Sequence, residues 1–305
     1  MQDNKNFLGT EPVGKLLLKL SIPTVIAQLI NMLYNIVDRI YIGHIPGEGS
    51  LALTGVGVCM PIIMIVSAFA ALVSSGGAPR ASIYMGKQDN KSAENILGNC
   101  FILQIIISAI LTAILLIWGR DLLLAFGASE NTISYATDYM HIYAFGTLFV
   151  QLTLGMNAFI TAQGFTTFSM VSVLIGAVCN IILDPIFIFG LNMGVKGAAL
   201  ATILSQAVSS VWVLRFLTSE KSSLRIKRKG LKLEAGVILP CMALGTSPVY
   251  HGIYGKYSVC LLQFFPASLW RRRGGRCHDD IEQRHAVFHA SAAGTDTGLP
   301  AHRQL

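Results

Sequence analysis

Six stretches of this chain are long and apolar: roughly residues 16–44, 51–83, 94–118, 134–160, 167–190 and 197–218. A helix needs about 20 mainly apolar residues to cross the hydrocarbon core of a bilayer. Inside that core a helix satisfies every peptide group within its own segment, so each stretch reads as one spanning helix. The fold class that follows is all-α, a polytopic transmembrane helix bundle. Several stretches exceed the minimum, which predicts tilted helices or helices that continue past the bilayer. The breaks between them carry turn chemistry, as in Gly43-His44-Ile45-Pro46-Gly47, Gly86-Lys87-Gln88-Asp89-Asn90 and Gly194-Val195-Lys196-Gly197.

Charge agrees with this reading. Only 13% of residues are charged, against about 25% in a soluble domain. The formal charge of +7 could suggest nucleic acid. The basic residues, however, lie in loops and near the chain's end and not on an aromatic-rich face, so no nucleic-acid partner is expected. Their positions set the orientation instead. Lys5, Lys15 and Lys19 precede or enter the first span. Arg80, Lys87 and Lys91 mark the end of the second. Lys221, Arg225, Lys227, Arg228, Lys229 and Lys232 follow the sixth. The positive-inside rule puts the N-terminus and that last loop in the cytoplasm. The six cysteines, at 59, 100, 179, 241, 260 and 277, form no CxxC pair and read as small buried hydrophobes. The polar N-terminus lacks the order of a cleaved signal peptide, so the first span is expected to be the insertion signal.

Beyond the basic loop, Leu233-Glu234-Ala235-Gly236-Val237-Ile238-Leu239-Pro240 echoes the approach to Pro23 in the first span. Such a restart hints at a two-fold repeat of six helices. The expected organisation is a cytoplasmic arm (1–14), a six-helix transmembrane lobe (15–218), a basic cytoplasmic loop (219–235) and the start of a seventh helix (236–248). From Val249 the chemistry changes. Residues 249–305 hold five of the seven histidines, the run Trp270-Arg271-Arg272-Arg273 and no spanning stretch. The Cys277, His278, His285 and His289 group matches no standard metal spacing. Shifted by one nucleotide, possible codons for residues 277–289 can spell an apolar helix. The expected reading is a frameshift near Pro248, with an out-of-frame tail over 249–305 in place of a second six-helix half.

Polar residues inside the spans carry the chemistry. Asp184 lies in an apolar run with no lysine, arginine or histidine between residues 170 and 193, and Asp38 lies in the first span. A carboxylate at membrane depth is costly unless paired, protonated or facing water, which is why such residues mark ion or substrate pathways. Asn180 precedes Asp184 by four and shares its face, and Pro185 weakens the backbone ladder there. A carboxylate, an amide and a locally opened helix can together receive a proton or a sodium ion, since hard cations take oxygen ligands. In the first span, Pro23 and Asp38 are separated by about four turns and lie near one face. Pro23 permits a bend. Gln28, Asn31, Asn35 and Asp38 form a polar stripe at spacings of three and four. For Gln28 and Asn31, bonding to neighbouring helices explains the stripe as well as function does. Arg39 follows Asp38 but points about 100° away, a poor local pair. Asn157 and Thr202 each fit helix packing as well as ligation. No Walker loop or other phosphate cradle is present, and His44 and His141 are isolated. The chain therefore reads as no enzyme, with no organic cofactor and no metal beyond a possible Na+ at Asp38, Asn180 and Asp184.

Three motifs, in order, resemble the multidrug and toxic compound extrusion (MATE) family: Asn-Ile-Val-Asp-Arg-Ile-Tyr-Ile-Gly-His at 35–44, Asn-Ile-Ile-Leu-Asp-Pro-Ile-Phe-Ile at 180–188 and Gly-Val-Lys-Gly-Ala-Ala-Leu-Ala-Thr at 194–202. The resemblance covers residues 10–248, an amino-terminal lobe plus the start of the next. It implies a twelve-helix, multi-pass plasma-membrane antiporter, monomeric in full-length form, that exchanges Na+ or H+ for small amphipathic, often cationic drugs. By motif, Asp38, Asn180, Asp184 and Thr202 would form the cation site. Asn157 would face the same cavity, and Pro23 would bend the first helix. The second lobe is almost wholly missing, and alternating access needs two halves, so the chain as written is expected to be inactive or incomplete. Two other readings stand beside this one. A lipid-linked oligosaccharide flippase of the same broad superfamily would favour intramembrane cations, and here only Arg39, Arg80 and Arg215 come close, all near span ends. A non-transporting membrane scaffold would need only the six helices.

Overall fold

The computed structural model describes residues 12–227 and 233–246. The expected out-of-frame tail, 249–305, lies outside the described residues, as does most of the N-terminal arm. The helices are α1 (Val13–Gly43), α2 (Gly49–Gly86), α3 (Asn90–Ala125), α4 (Ile133–Ala162), α5 (Thr166–Pro185), α6 (Val195–Thr218) and the short α7 (Ala235–Thr246). A π-helical turn, Ile186–Gly190, continues α5 past Pro185. No strand occurs among the described residues. The first six helices are each long and apolar enough to cross a membrane. They coincide with the six apolar stretches, and α7 begins where the echo of the first span lies.

α2 and α3 run to 38 and 36 residues, further than their apolar stretches. The extension has a local cause at the start of α3. Asp89 caps it, accepting from the Ser92 amide at 3.1 Å and the Ser92 hydroxyl at 2.6 Å. These bonds satisfy donors that the first helical turn leaves free and hold the Asp89 carboxyl below the ordinary carboxylate range. At the far end of α3, Gly127 turns the chain with a φ of 97°, a conformation that favours glycine.

α4 is the central helix, flanked by α2, α3 and α6. α5 packs on α6, and α1 lies mainly against α5 with little contact to α2 or α6. The most apolar window of α1 has no buried residue, and Leu18, Met32 and Leu33 are among its exposed side chains. One apolar cluster gathers around Val56, Leu123, Met140 and Tyr143. A second gathers around Leu97, Cys100, Met156, Phe159 and Leu217, nearer the basic loop, and includes Cys241 of α7.

Apolar surface gains little by leaving lipid for protein, so membrane helices are held by close packing and interhelical hydrogen bonds. Both are visible here. Gln104 of α3 donates to the Ala70 carbonyl of α2 at 3.1 Å, and Gln151 of α4 donates to the Val66 carbonyl at 2.8 Å. Thr153 of α4 reaches the Gln206 carbonyl of α6 at 3.1 Å, and Ser209 of α6 reaches the Ser172 carbonyl of α5 at 2.9 Å. The close approach of α6 to the end of α5 depends on Gly197. A Cβ there would meet the Phe187 carbonyl carbon at 2.7 Å and its oxygen at 2.8 Å.

Backbone, unlike a flexible side chain, cannot yield cheaply to such a contact. Gly197→Ala is therefore expected to destabilise the lobe by about 1–3 kcal/mol. Gly57→Ala, with nothing within 4 Å of the added carbon, should be neutral or stabilising, since alanine is the better helix former. Melting temperatures of the two variants in detergent check this pair.

Candidate functional site at the α1–α5 interface

α1 and α5 face each other through carboxyl and amide groups. Asp38 is 7% exposed, Asn180 1% and Asp184 0%. The spacing of four on α5 lets Asn180 donate from Nδ2 to Asp184 Oδ1 at 3.2 Å. Across the interface the carboxyl groups of Asp38 and Asp184 lie close enough to act on each other directly. Two ionised carboxylates offer only acceptors. Their contact is favourable only with a proton or a cation between them.

The same three residues also carry unpaired atoms. Asp38 Oδ1, Asn180 Oδ1 and Asp184 Oδ2 are all buried without a hydrogen-bond partner. Gln104 and Gln151 also leave one amide oxygen unpaired, but each of those residues is tied to a neighbouring helix through its amide nitrogen. At the α1–α5 interface three neighbouring residues each leave one buried oxygen without a partner. An oxygen-only donor set suits a proton or a hard cation such as Na+.

Thr202 donates to its own helix, at the Ala198 carbonyl, at 3.0 Å. It joins the cluster through Tyr139 of α4, which is 4% exposed, lies beside the Thr202 side chain and is within electrostatic reach of Asp38. Tyr34 of α1 lies within reach of both Asp38 and Asp184. Neither tyrosine stands out in the sequence, because an aromatic ring within an apolar helix offers no contrast with its neighbours. The one available signal was the pair Tyr139 and Tyr143, four apart, whose rings stack with centroids 6.2 Å apart. Arg39 is exposed and forms no ion pair with Asp38 among the described residues.

Pro23 sits inside α1, which is one unbroken helix from Val13 to Gly43. Proline supplies no amide donor to the preceding turn, so the helix is weakened there without being interrupted. The neighbouring Thr24 hydroxyl bonds the Leu20 carbonyl at 3.0 Å. Asn157 lies on α4. It lines a cavity of about 260 Å³ shared by α1, α4, α5 and α6, together with Gln28, Asn31, Tyr34 and Gln206. Asn157 donates to the Ser169 carbonyl at 3.4 Å, while its Oδ1 and the Gln206 Oε1 have no partner. Among the described residues, no Lys, Arg, Asp or Glu lines this cavity. Tyr34 belongs to both places and links them.

A sequence model of the MatE family matches residues 23–186, more than half of the chain and the whole span from Pro23 to Asp184. The chain belongs to the MatE family. Among its relatives, the multidrug export protein MepA of Staphylococcus haemolyticus is 28% identical over 233 residues, covering 76% of this chain and 51% of MepA. A MOP superfamily transporter from Pyrococcus furiosus is 26% identical, with a TM-score of 0.71 over 77% of this chain and 52% of its own. A MATE crystal structure in the straight conformation is also 26% identical, with a TM-score of 0.72 over 78% of this chain and 53% of that one. The chain thus spans about half the length of the relatives it matches. Like other MatE proteins it is a multi-pass membrane protein, and the matched part is the amino-terminal lobe.

Asp184→Asn turns one acceptor of the carboxyl pair into an amide that can donate to Asp38. The variant is expected to melt higher than the parent in detergent at neutral pH, by roughly 1 kcal/mol of added stability. Asp184→Ala, which leaves Asn180 and Asp38 without a partner, should melt lower than Asp184→Asn.

Proposed function

We propose that this lobe serves a secondary active antiporter in the plasma membrane, which exports small amphipathic, cationic drugs in exchange for H+ or Na+. The observation that carries the proposal is the buried approach of Asp38 to Asp184, in which each carboxyl and the neighbouring Asn180 amide leave one oxygen without a partner. Asp38, Asn180 and Asp184 would hold the coupling ion, with Thr202 and Tyr139 supporting them from α6 and α4. The proposed N-terminal side is the cytoplasm, and the work is transport without chemical conversion.

The same groups suggest how ion binding drives movement. With both carboxyls ionised, like charges in a low-dielectric interface push α1 away from α5. A proton or Na+ between them turns repulsion into attraction and draws α1 onto α5. α1 can respond because its apolar face is little packed and Pro23 weakens its ladder. Movement of α1 carries Gln28, Asn31 and Tyr34, and these line the polar cavity. A drug bound there would lose its pocket as the ion arrives, which is antiport. The cavity's polar lining without Lys or Arg favours a drug cation over the pyrophosphate of a lipid-linked oligosaccharide, which would call for guanidinium or ammonium groups. Because the chain matches about half of its relatives' length, the cycle is proposed for an assembly in which this lobe works against a second one.

In a protein that joins this lobe to a second lobe, Asp38→Asn and Asp184→Asn are each expected to abolish ethidium efflux and drug resistance while membrane insertion is unchanged. Efflux measured in vesicles under a proton gradient alone, and then under a sodium gradient alone, identifies the coupling ion. Full resistance in both variants refutes the assignment.

A further inference from the structure

α7 meets the lobe at a point that the proposed cation site does not use. Cys241 of α7 and Cys100 of α3 are each 1% exposed, belong to the same buried cluster and interact with each other there. Arg80 of α2 donates from Nη1 to the Cys241 sulfur at 3.8 Å and to the Val237 carbonyl of α7 at 3.3 Å. No carboxylate among the described residues pairs with Arg80. Two glycines make the approach possible. A Cβ at Gly76 would overlap the Cys241 carbonyl, and one at Gly77 would overlap the Cys100 sulfur. α7 is otherwise anchored at its start, where the Glu234 amide donates to Asn99 Oδ1 at 2.7 Å and Asn95 donates to Glu234 Oε2 at 3.1 Å.

We propose that Cys100 and Cys241 are a thiol-oxidation site, with Cys241 as the attacking thiol, Arg80 as its activating cation and Cys100 as the resolving thiol, which a hydroperoxide converts to a disulfide that fastens α7 to α3. A guanidinium beside a sulfur favours the thiolate, the form that reacts. The Cys241 thiolate attacks one oxygen of hydrogen peroxide, forming a sulfenic acid and releasing hydroxide, which takes up the proton the thiol gave up. Cys100 then attacks that sulfur, and its own proton leaves with the sulfenic oxygen as a second water. Two thiols and one hydrogen peroxide give one disulfide and two waters, the two electrons passing from sulfur to oxygen. The other described cysteines, Cys59 and Cys179, have no such pairing: the Cys59 thiol bonds only the Gly55 and Ala136 carbonyls. This site is independent of the transport reading. It would hold α7 in place whatever the carboxyl pair does.

The test is peptide mapping of the purified full chain in detergent, treated with hydrogen peroxide, blocked with iodoacetamide and digested without reductant. A linked peptide containing Cys100 and Cys241 is expected, reversed by dithiothreitol and absent from Cys100→Ser and Cys241→Ser. Arg80→Gln should slow its formation about tenfold. Two alkylated thiols after treatment overturn the proposal, as does Cys241 linked to another cysteine or to a second copy. A linked peptide that forms at the parent rate in Arg80→Gln overturns the role of the arginine. The mapping of the unmodified chain decides the main point even where a variant fails to fold.

Discussion

A peptide group inside a membrane has no water to bond, and each spanning helix here meets that constraint within itself. The consequence shapes everything else. With the backbone donors committed to their own helix, contact between helices falls to close packing and to side chains that donate to the spare capacity of carbonyls. Gln104, Gln151, Thr153 and Ser209 all do this. A carboxylate cannot, because it has no hydrogen to give. Asp38 and Asp184 are therefore misfits in the packing scheme that holds the rest of the lobe together, and they meet each other instead of a carbonyl.

That misfit sits where the lobe is least rigid. α4 is enclosed by three helices and carries much of the core, whereas α1 touches mainly α5. A charge change at the α1–α5 interface thus acts on a helix held mainly by one neighbour, and one weakened at Pro23. The polar cavity lies alongside, sharing Tyr34 with the carboxyl cluster. In the proposed cycle, coupling between ion and drug would need no long path, only the movement of one helix that serves both places.

Much of the candidate site was legible in the sequence for one reason: polarity is conspicuous against an apolar background. Asp38, Asn180 and Asp184 announce themselves that way, and the spacing of four puts the last two on one face. Tyr34 and Tyr139 were not legible, because their rings blend with the apolar helix and only folding decides where the hydroxyls point. Asn157, expected to face the same cavity as the cation site, lines a polar cavity together with Tyr34, which is also within reach of both carboxyl groups. The cysteines read as buried hydrophobes, and Cys100 and Cys241 are buried. That they come together beside Arg80 depends on Gly76 letting α7 approach and Gly77 making room for the Cys100 sulfur, and nothing local predicts it.

The sequence by itself determined the number of spanning helices, their all-α character and which side chains would be costly to bury. These follow from hydropathy and from hydrogen bonds between residues four apart, both of which are local. The tertiary structure decided which costly groups meet. Asp38 finds Asp184, Tyr139 finds Thr202 and Cys100 finds Cys241 only because each helix settled at one rotation and depth against its neighbours. Those are set by glycine contacts and side-chain-to-carbonyl bonds between segments far apart in the chain.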